Sequence, residues 1–352
     1  MELSKAQSTA FEKVRAKGAG DQGIALTDGS IRALIELVAR DLALPPIEGV
    51  DPLGDREFYE IPPNALSAGG GASALSAYCS LLQIGPVDTD MYFLSLAALH
   101  RARLKFANIM RSQGTPSLEQ VGPRGLLQYG DLSTRALGSL LIVRKWLFDI
   151  DNRSAQETGY LFEPIIAGAV GGVPVSAKSS PIKRDGTGGG RQVDCLRENQ
   201  AYEIKIRVTI AASGQGRWKE ELAFPADCEA SGFTPVLVVF DGTDNSKLSE
   251  LSDAFLRHGG QVYVGEDAWG HLESEAGPTM GTFVDKYIRG PLDDLLAQTP
   301  TDLPPITFLI QPDIINIRID TEELQIDRTG SVPPIDFQMP NDVDAALPGL
   351  DW

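Results

Sequence analysis

The chain has 352 residues, of which 42% are hydrophobic and 22% are charged. This is the balance of a globular protein with one large or two moderate domains, and no apolar run reaches the roughly 18 residues of a membrane-spanning helix. The formal net charge of −17 argues against a nonspecific binder of polyanions.

The amino terminus and the metal-binding residue types bear on compartment and cofactor. Residues 1–18 are charged throughout and have no apolar core like that of a secretion signal, which predicts a cytoplasmic protein without membrane contact. The three cysteines and three histidines are widely spaced, in neither a disulfide nor a zinc pattern. Any metal ion is therefore expected to be a hard cation held by carboxylates.

The first part of the chain, residues 1–150, is predicted to be helical. Apolar residues recur at helical spacing in 31–42, and further helical segments are indicated within 72–112 and over 135–150. Residues 46–70 are rich in proline and glycine and are predicted to form a loop.

Charge is unevenly distributed along the chain. Residues 101–147 carry eight basic and two acidic side chains, whereas residues 301–352 carry ten acidic and two basic ones. The first segment allows a local basic face on an acidic protein, although a solvated helix surface is the simpler interpretation. Within the acidic part, residues 321–352 are predicted to be an acidic, proline-rich tail.

The pattern changes after residue 150. Ser154 and Glu157 form the capping-box signature of a helix start, and Pro164 is expected to kink this helix or to disturb its neighbour Glu163. The following segments give the order helix, three strands, helix, strand, helix, strand, which predicts a mixed sheet with helices on both faces. Strands are predicted at 171–178, 191–196, 201–208, 234–242 and 261–265 and within 306–320, and helices within 213–231 and at 246–259 and 279–298.

Two acids and a lysine lie on strands predicted at the centre of this sheet. In the stretch YEIKIRV, Glu203 and Lys205 point to the face opposite the apolar residues. If Glu198 and Asn199 form the tip of an antiparallel hairpin, Asp194 faces Glu203, whereas an odd loop would shift the pairing by one residue. Opposed residues have Cβ atoms about 5 Å apart, so these two carboxylates either share a proton or bind a cation.

Such a cluster can hold Mg²⁺. Asp194 and Glu203 would be ligands, and the main-chain carbonyl of Ile204 is a natural third ligand. Lys205 would stand beside the attacking water, lowering its pKa or orienting it for attack on a phosphorus atom. The alternative is an exposed hairpin whose acids and lysine form solvated salt bridges, which is the simpler interpretation of the motif alone.

In its context the cluster resembles that of the PD-(D/E)xK nuclease superfamily. The segments GYLFEPIIAG, VDC, YEIKI and VLVVF, within roughly residues 155–265, are most similar to type II restriction endonucleases. The resemblance implies a restriction-endonuclease-like α/β fold with a mixed β-sheet core flanked by helices over 151–320. The helical subdomain before it would serve recognition or dimerisation.

The resemblance also implies roles for individual residues. Asp194 matches the first acid of the family motif, and Glu203 and Lys205 match its E-x-K, so all three are predicted to be catalytic. Glu163 matches an acid that many members carry on the helix before the sheet and that assists the metal site. Val193 stands where the proline of the motif would be, a departure that many members share.

Basic residues near the cluster are predicted to contact DNA, although each also has a structural explanation. They continue the charged strand, flank the glycine-rich loop RDGTGGG, or begin the helix that follows. Trp218 in that helix is interpreted as a packing residue rather than a base stacker. The predicted set is Arg207, Arg191, Arg217, Lys219, Lys183 and Arg184.

The sequence thus predicts a Mg²⁺-dependent type II restriction endonuclease that cuts double-stranded DNA as a homodimer. Cutting both strands needs two sites, and two-fold symmetry suits palindromic targets. The alternatives are a repair or recombination nuclease of the same fold and a non-catalytic DNA-binding protein.

Overall fold

The computed structural model describes residues 3–17, 23–186, 188–206, 215–299 and 301–329, with the side chains of 215–217 left undescribed. Within these ranges, none of the helices is long and apolar enough to cross a membrane. The helices are α1 (Lys5–Arg15), α2 (Asp28–Asp41), α3 (Ala74–Ile84), α4 (Thr89–Ser112), α5 (Leu118–Gly125), α6 (Thr134–Ala169), α7 (Gln215–Ala230), α8 (Ser246–Arg257), α9 (Glu266–Glu275), α10 (Pro278–Val284) and α11 (Gly290–Leu296). The strands are β1 (Val173–Val175), β2 (Val193–Arg197), β3 (Gln200–Lys205), β4 (Thr234–Val239), β5 (Gln261–Val264), β6 (Ile306–Ile310), β7 (Ile314–Ile319) and β8 (Glu322–Asp327).

The predicted helical character of the first 150 residues is confirmed. Helix α2 begins where the Thr27 side chain accepts a hydrogen bond from the Ser30 amide, and its apolar stripe is buried. The segment 46–70 is a loop with two short 3₁₀ turns, Phe58–Glu60 and Pro63–Ala65. Helices α1 to α4 share one hydrophobic core with the sheet face that carries Tyr202.

Helix α6 is one continuous helix where the sequence predicted two. Ser154 is not an N-cap, because it lies inside the helix and its hydroxyl donates to the Asp151 carbonyl at 2.9 Å. Glu157 pairs with Lys105 of α4 at 2.6 Å. The capping-box prediction was wrong because α4 packs along α6 and tertiary contacts outweigh a local helix-start signal.

The same helix also continues through Pro164. Proline at this position cannot donate a hydrogen bond to the Tyr160 carbonyl. The next residues, Ile165 and Ile166, are buried in the core between α6 and the sheet, and this packing offsets the loss. The predicted disturbance does not interrupt the helix, and Glu163 is helical.

Strands β1 to β5 form one sheet in that order. The β1–β2 and β2–β3 pairs are antiparallel, whereas β3–β4 and β4–β5 are parallel. One face packs on α6 and the amino-terminal helices, and the other packs on α7 and α8 around Phe224, Leu237 and Phe255. The predicted α/β fold, a mixed sheet with helices on both faces, is confirmed.

Strands β6 to β8 form a separate antiparallel sheet. Its inner face packs on Trp146 and Ile150 of α6 through Ile315 and Ile317. Strands β6 and β7 confirm the late strands, but β8 was not predicted and lies in the segment assigned to the tail. Strand β8 has only two apolar residues, Leu324 and Ile326, of which only Ile326 is buried, so its sequence gives a weak strand signal. The tail residues from 330 onward lie outside the described residues.

Two of the described helices, α5 and α9, were also not predicted. The segment 279–298 contains α10, a π-helical turn at Asp285–Arg289 and α11 rather than one helix. Helix α6 runs through residue 150, and the division of the chain at residues 150 and 320 stays a prediction.

The predicted basic face within 101–147 is smaller than its composition suggests. Four of the eight basic side chains are bound to main-chain carbonyls or to acidic side chains of the same chain, so they add little positive charge to the surface. Arg101 and Arg103 donate to main-chain carbonyls of residues 13 and 14 and of residues 58 and 61, and Lys105 and Lys145 pair with Glu157 and Asp149.

Candidate active site

Strands β2 and β3 form the predicted hairpin in the predicted register. Glu198 and Asn199 lie at the tip, and Glu198 has a φ of 52°, in the left-handed region that tight two-residue hairpins use. Asp194 and Glu203 follow the last pair of the ladder, as the even loop requires. The paired residues are Arg197 with Gln200, Leu196 with Ala201 and Cys195 with Tyr202.

The side-chain carboxylate of Asp194, rather than a main-chain carbonyl of β2, binds the main chain of β3 next to the ladder. Its Oδ2 accepts a hydrogen bond from the Ile204 amide at 2.9 Å. Because the N–H and C=O of one strand residue point to the same side, the Ile204 carbonyl also faces the Asp194 side of the strand. Asp194 is therefore held beside β3 through its side chain, at the level of Glu203.

Lys205 lies between two carboxylates. Its Nζ is 3.0 Å from Oε1 of Glu203, on the same face of β3, and 3.5 Å from Oε1 of Glu221 on α7. These three side chains are only 15–20% exposed. Strand β3 is fixed from its other edge by parallel pairing with β4, so the cluster stands on a rigid part of the sheet. The solvated salt-bridge alternative does not describe this mostly buried arrangement.

The sequence analysis missed Glu221. Glu221 lies three residues before Phe224 and seven residues before Cys228 on α7. Both of these residues are buried between α7 and the sheet. A charged residue on the apolar stripe of an amphipathic helix is the signal that identifies it. The residue that it meets depends on how α7 packs on the sheet, which the local sequence does not specify.

The cluster shifts the pKa of both Asp194 and Lys205. Burial raises the pKa of Asp194 well above its ordinary value, and the neighbouring carboxylates of Glu203 and Glu163 raise it further. Burial lowers the pKa of Lys205, but Glu203 and Glu221 outweigh this effect, and the net pKa is above its ordinary value. Negative charge is therefore in excess around Asp194, whereas Lys205 stays protonated.

Glu163 lies near this cluster but belongs to a different element. It is half-buried on α6, which packs on β2 and β3, and its charge contributes to the raised pKa of Asp194. Asp194, Glu203 and Glu163 thus come from β2, β3 and α6, and their charges converge on one end of the hairpin.

The donor set fits a hard divalent cation. Within the described ranges, no three or more His, Cys, Asp and Glu side chains form a ready metal site. Two carboxylates, Asp194 and Glu203, and the carbonyl of Ile204 are nevertheless oxygen donors on adjacent strands, the chemistry that Mg²⁺ requires. Burial first, and then the carboxylates of Glu203 and Glu163, raise the pKa of Asp194, so a cation at this end of the hairpin would favour its ionised form.

Lys183 and Arg184, two of the predicted DNA-contacting residues, lie at the start of the glycine-rich loop. Arg184 pairs with Glu220 at 3.6 Å, and Lys183 donates to the Ser180 carbonyl at 2.9 Å. Lys219 is exposed on α7. Arg207 and the side chain of Arg217 lie outside the described residues.

Arg191 occupies a different environment from the rest of that set. It is buried, forms a 2.5 Å ion pair with Asp227 and donates to the Glu220 carbonyl at 2.9 Å. Its guanidinium therefore ties the segment before β2 to α7 instead of facing solvent. Trp218 packs against the core between α7 and the sheet and donates to Glu250 at 3.2 Å, in agreement with its interpretation as a packing residue.

Comparisons with known proteins give a consistent set of relatives. A family model described as ApaLI-like restriction endonuclease matches residues 79–289, which include Glu163, Asp194, Glu203 and Lys205. The chain is 50% identical over 212 residues to the type II restriction enzyme ApaLI of Acetobacter pasteurianus. That alignment covers 58% of this chain and 56% of the relative, so the chain spans little more than half the length of the curated protein it matches. No solved structure matches.

Proposed function

Since the chain belongs to the ApaLI-like restriction endonuclease family, we propose that it is a type II restriction endonuclease that hydrolyses phosphodiester bonds at specific sites in double-stranded DNA. The observation that carries this proposal is the buried cluster at the end of the β2–β3 hairpin. There Lys205 lies between Glu203 and Glu221, and the Asp194 carboxylate is bonded to the Ile204 amide. A mostly buried ammonium beside excess carboxylates is typical of a catalytic centre rather than of a surface salt bridge.

Asp194, Glu203 and the Ile204 carbonyl would hold Mg²⁺, and Glu163 would add negative charge from α6. The cation would act as a Lewis acid on the scissile phosphate. The support for this assignment is the burial of Asp194 beside the carboxylates of Glu203 and Glu163, which together raise its pKa. A cation at this position would also favour the ionised form of Asp194 that it needs as a ligand.

Lys205 would orient the attacking water and stabilise the charge that develops on the phosphate oxygens. Its raised pKa keeps it protonated, so it donates hydrogen bonds and does not itself remove a proton from water at neutral pH. Glu221 would hold the Lys205 ammonium in place when the Glu203 carboxylate binds the cation. We therefore assign Glu221 as a positioning residue and Lys205 as the catalytic residue that it positions.

DNA would approach the side of the hairpin where the basic residues of the glycine-rich loop and of α7 lie. The members of this set whose side chains the structure describes are Lys183, Arg184 and Lys219. The set also includes Arg207 and Arg217, whose side chains lie outside the described residues. Arg191 is left out because its guanidinium is buried against Asp227. The active species would be a homodimer, because cutting both strands at a palindromic site needs two such centres.

The test is digestion of a plasmid of known sequence with and without Mg²⁺, followed by mapping of the cut ends. We expect cuts at one short palindrome that disappear in EDTA. Cleavage of branched DNA alone would indicate a repair or recombination nuclease. DNA binding without any cleavage would indicate a non-catalytic protein, and either result would overturn the proposal.

A further inference from the structure

The first half of α6 extends beyond the helix that packs along its second half. Helix α4 runs antiparallel to α6, with Met91 against Gly168 and Met110 near Trp146. The turns of α6 before Trp146 contact α5 through Leu137. This part of α6 therefore projects from the main core as one arm of a helical hairpin with α5.

This hairpin carries a large apolar surface. We define the α5–α6 face as Leu126, Leu127 and Tyr129 in the connecting loop with Leu140, Leu147 and Phe148 on α6. Each of the six side chains is at least 40% exposed, and Leu127 is 89% exposed. Arg144 of α6 donates to Gln128 of the loop at 3.2 Å, so the loop residues and the helix residues lie side by side.

The spacing on α6 indicates what kind of element would cover this face. Ala136, Leu140, Val143 and Leu147 follow one another at intervals of four, three and four residues. That spacing forms a straight seam that packs against another helix. The residues turned toward α5 and toward the β6–β8 sheet, among them Leu137 and Trp146, lie on other sides of α6. Among the described residues, Ala136, Leu140 and Leu147 of the seam are exposed.

The size of the face agrees with an interface between two chains. The exposed parts of the six side chains amount to on the order of 600 Å² of apolar surface. This is at the upper end of the roughly 300–600 Å² of the largest apolar patch on a typical monomer, and such patches are often functional. The α5–α6 face would supply most of the roughly 800 Å² that each partner contributes to a stable complex.

We propose that a second copy of this chain covers the α5–α6 face, with the seams of two α6 helices packed together. This inference extends the homodimer of the proposed function and rests on it. The acidic segment 330–352 is the other candidate cover. Four of its residues, Pro333, Pro334, Pro340 and Pro348, are of the type least compatible with a helix interior, whereas the seam requires an unbroken helix. A two-fold dimer instead brings an identical helix with an identical seam.

The test is the mass of the full-length chain in solution, measured by sedimentation equilibrium without DNA or metal. We expect the wild-type chain to have twice the mass of one chain. The double variant Leu140→Glu/Leu147→Glu should raise the dimer dissociation constant by about tenfold or more. Leu256→Glu is the matched control, because Leu256 is 58% exposed on α8, outside this face. It should remain a dimer.

Leu127→Glu changes only a loop residue and repeats the test if the double variant does not fold. A monomeric wild-type protein would overturn the proposal and would leave segment 330–352 as the candidate that covers the α5–α6 face. Unchanged dimerisation of all the variants would overturn it as well. Because the mass is measured without cleavage, its failure is distinguishable from failure of the proposed nuclease activity.

Discussion

The ammonium group of Lys205 lies 3.0 Å from the carboxylate of Glu203, two residues earlier on the same face of β3. Burial of an ammonium lowers its pKa, yet Glu203 and Glu221 raise the pKa of Lys205 above its ordinary value. The lysine is therefore a cation at neutral pH. It can neutralise charge on a bound phosphate without a preceding proton transfer.

Replacing Lys205 by alanine should abolish cleavage and leave DNA binding intact. The variant loses the cation that stabilises charge on the phosphate, which we expect to lower the cleavage rate by roughly 10³-fold or more. Lys247→Ala is the control, because Lys247 pairs with Glu250 on α8 and takes no part in the cluster. Plasmid cleavage and a gel-shift assay check the two expectations. A Lys205→Ala rate near that of the wild type would exclude the catalytic role.

Replacing Glu221 by glutamine should change the pH dependence of cleavage. Loss of one of the two carboxylates lowers the pKa of Lys205, so the loss of activity at alkaline pH should begin at a lower pH than in the wild type. At neutral pH we expect a decrease of about tenfold, typical of a residue that orients another. Glu220→Gln, on the neighbouring exposed position of α7, is the control. Coincident pH profiles for Glu221→Gln and the wild type would leave Glu221 a purely structural role.

Replacing Asp194 by asparagine should stabilise the metal-free fold while abolishing cleavage. The pKa of Asp194 is raised by burial and by its acidic neighbours, so its ionised form costs stability above the folded pKa and costs nothing below the ordinary value of 3.8. At pH 8 in EDTA the variant should therefore melt higher by about 2 °C or more. Added Mg²⁺ should raise the melting temperature of the wild type but not of the variant.

The matched control for Asp194 is Asp227→Asn. Asp227 is also a buried aspartate, but its charge is compensated by the buried guanidinium of Arg191 at 2.5 Å. Removing its charge should destabilise the fold by about 3–5 kcal/mol, the opposite sign to Asp194→Asn. A lower melting temperature for Asp194→Asn in EDTA would contradict the excess negative charge at the hairpin.

Replacing His100 by leucine should stabilise the protein below pH 6.5. The ring is fully buried on α4, and neither nitrogen has a hydrogen-bond partner among the described residues. Burial, with Arg103 and Arg101 nearby, lowers the His100 pKa from 6.5 to about 4. The unfolded chain therefore binds a proton between these values that the folded chain does not. Wild-type stability should fall by up to about 3 kcal/mol as the pH decreases from 6.5 to 4.

Urea unfolding at several pH values measures this loss, which His100→Leu should remove. His258→Leu is the control, since His258 is partly exposed and lies 2.7 Å from Glu229. It should gain no stability over that range. If the free energy of unfolding depends on pH equally in the wild type and in His100→Leu, groups other than His100 cause the loss of stability in acid.

The hairpin was predictable from the sequence because its information is local. A two-residue tip fixes the register, and alternation along β3 fixes the shared face of Glu203 and Lys205. The Ser154 capping box failed because contacts with α4, distant in sequence, keep α6 helical. Glu221 and the burial of Arg191 were missed because both depend on where α7 lies on the sheet.

Helix α6 links the α5–α6 face to the acid near the hairpin without a loop between them. Its 36 residues extend about 54 Å, and Phe148 and Glu163 are about 22 Å apart along its axis. If two chains meet through this helix, its rigid span contributes to the distance between the two proposed centres. One residue inserted into α6 between the face and Glu163 would lengthen that span by about 1.5 Å and rotate the proposed centre by about 100° relative to the arm.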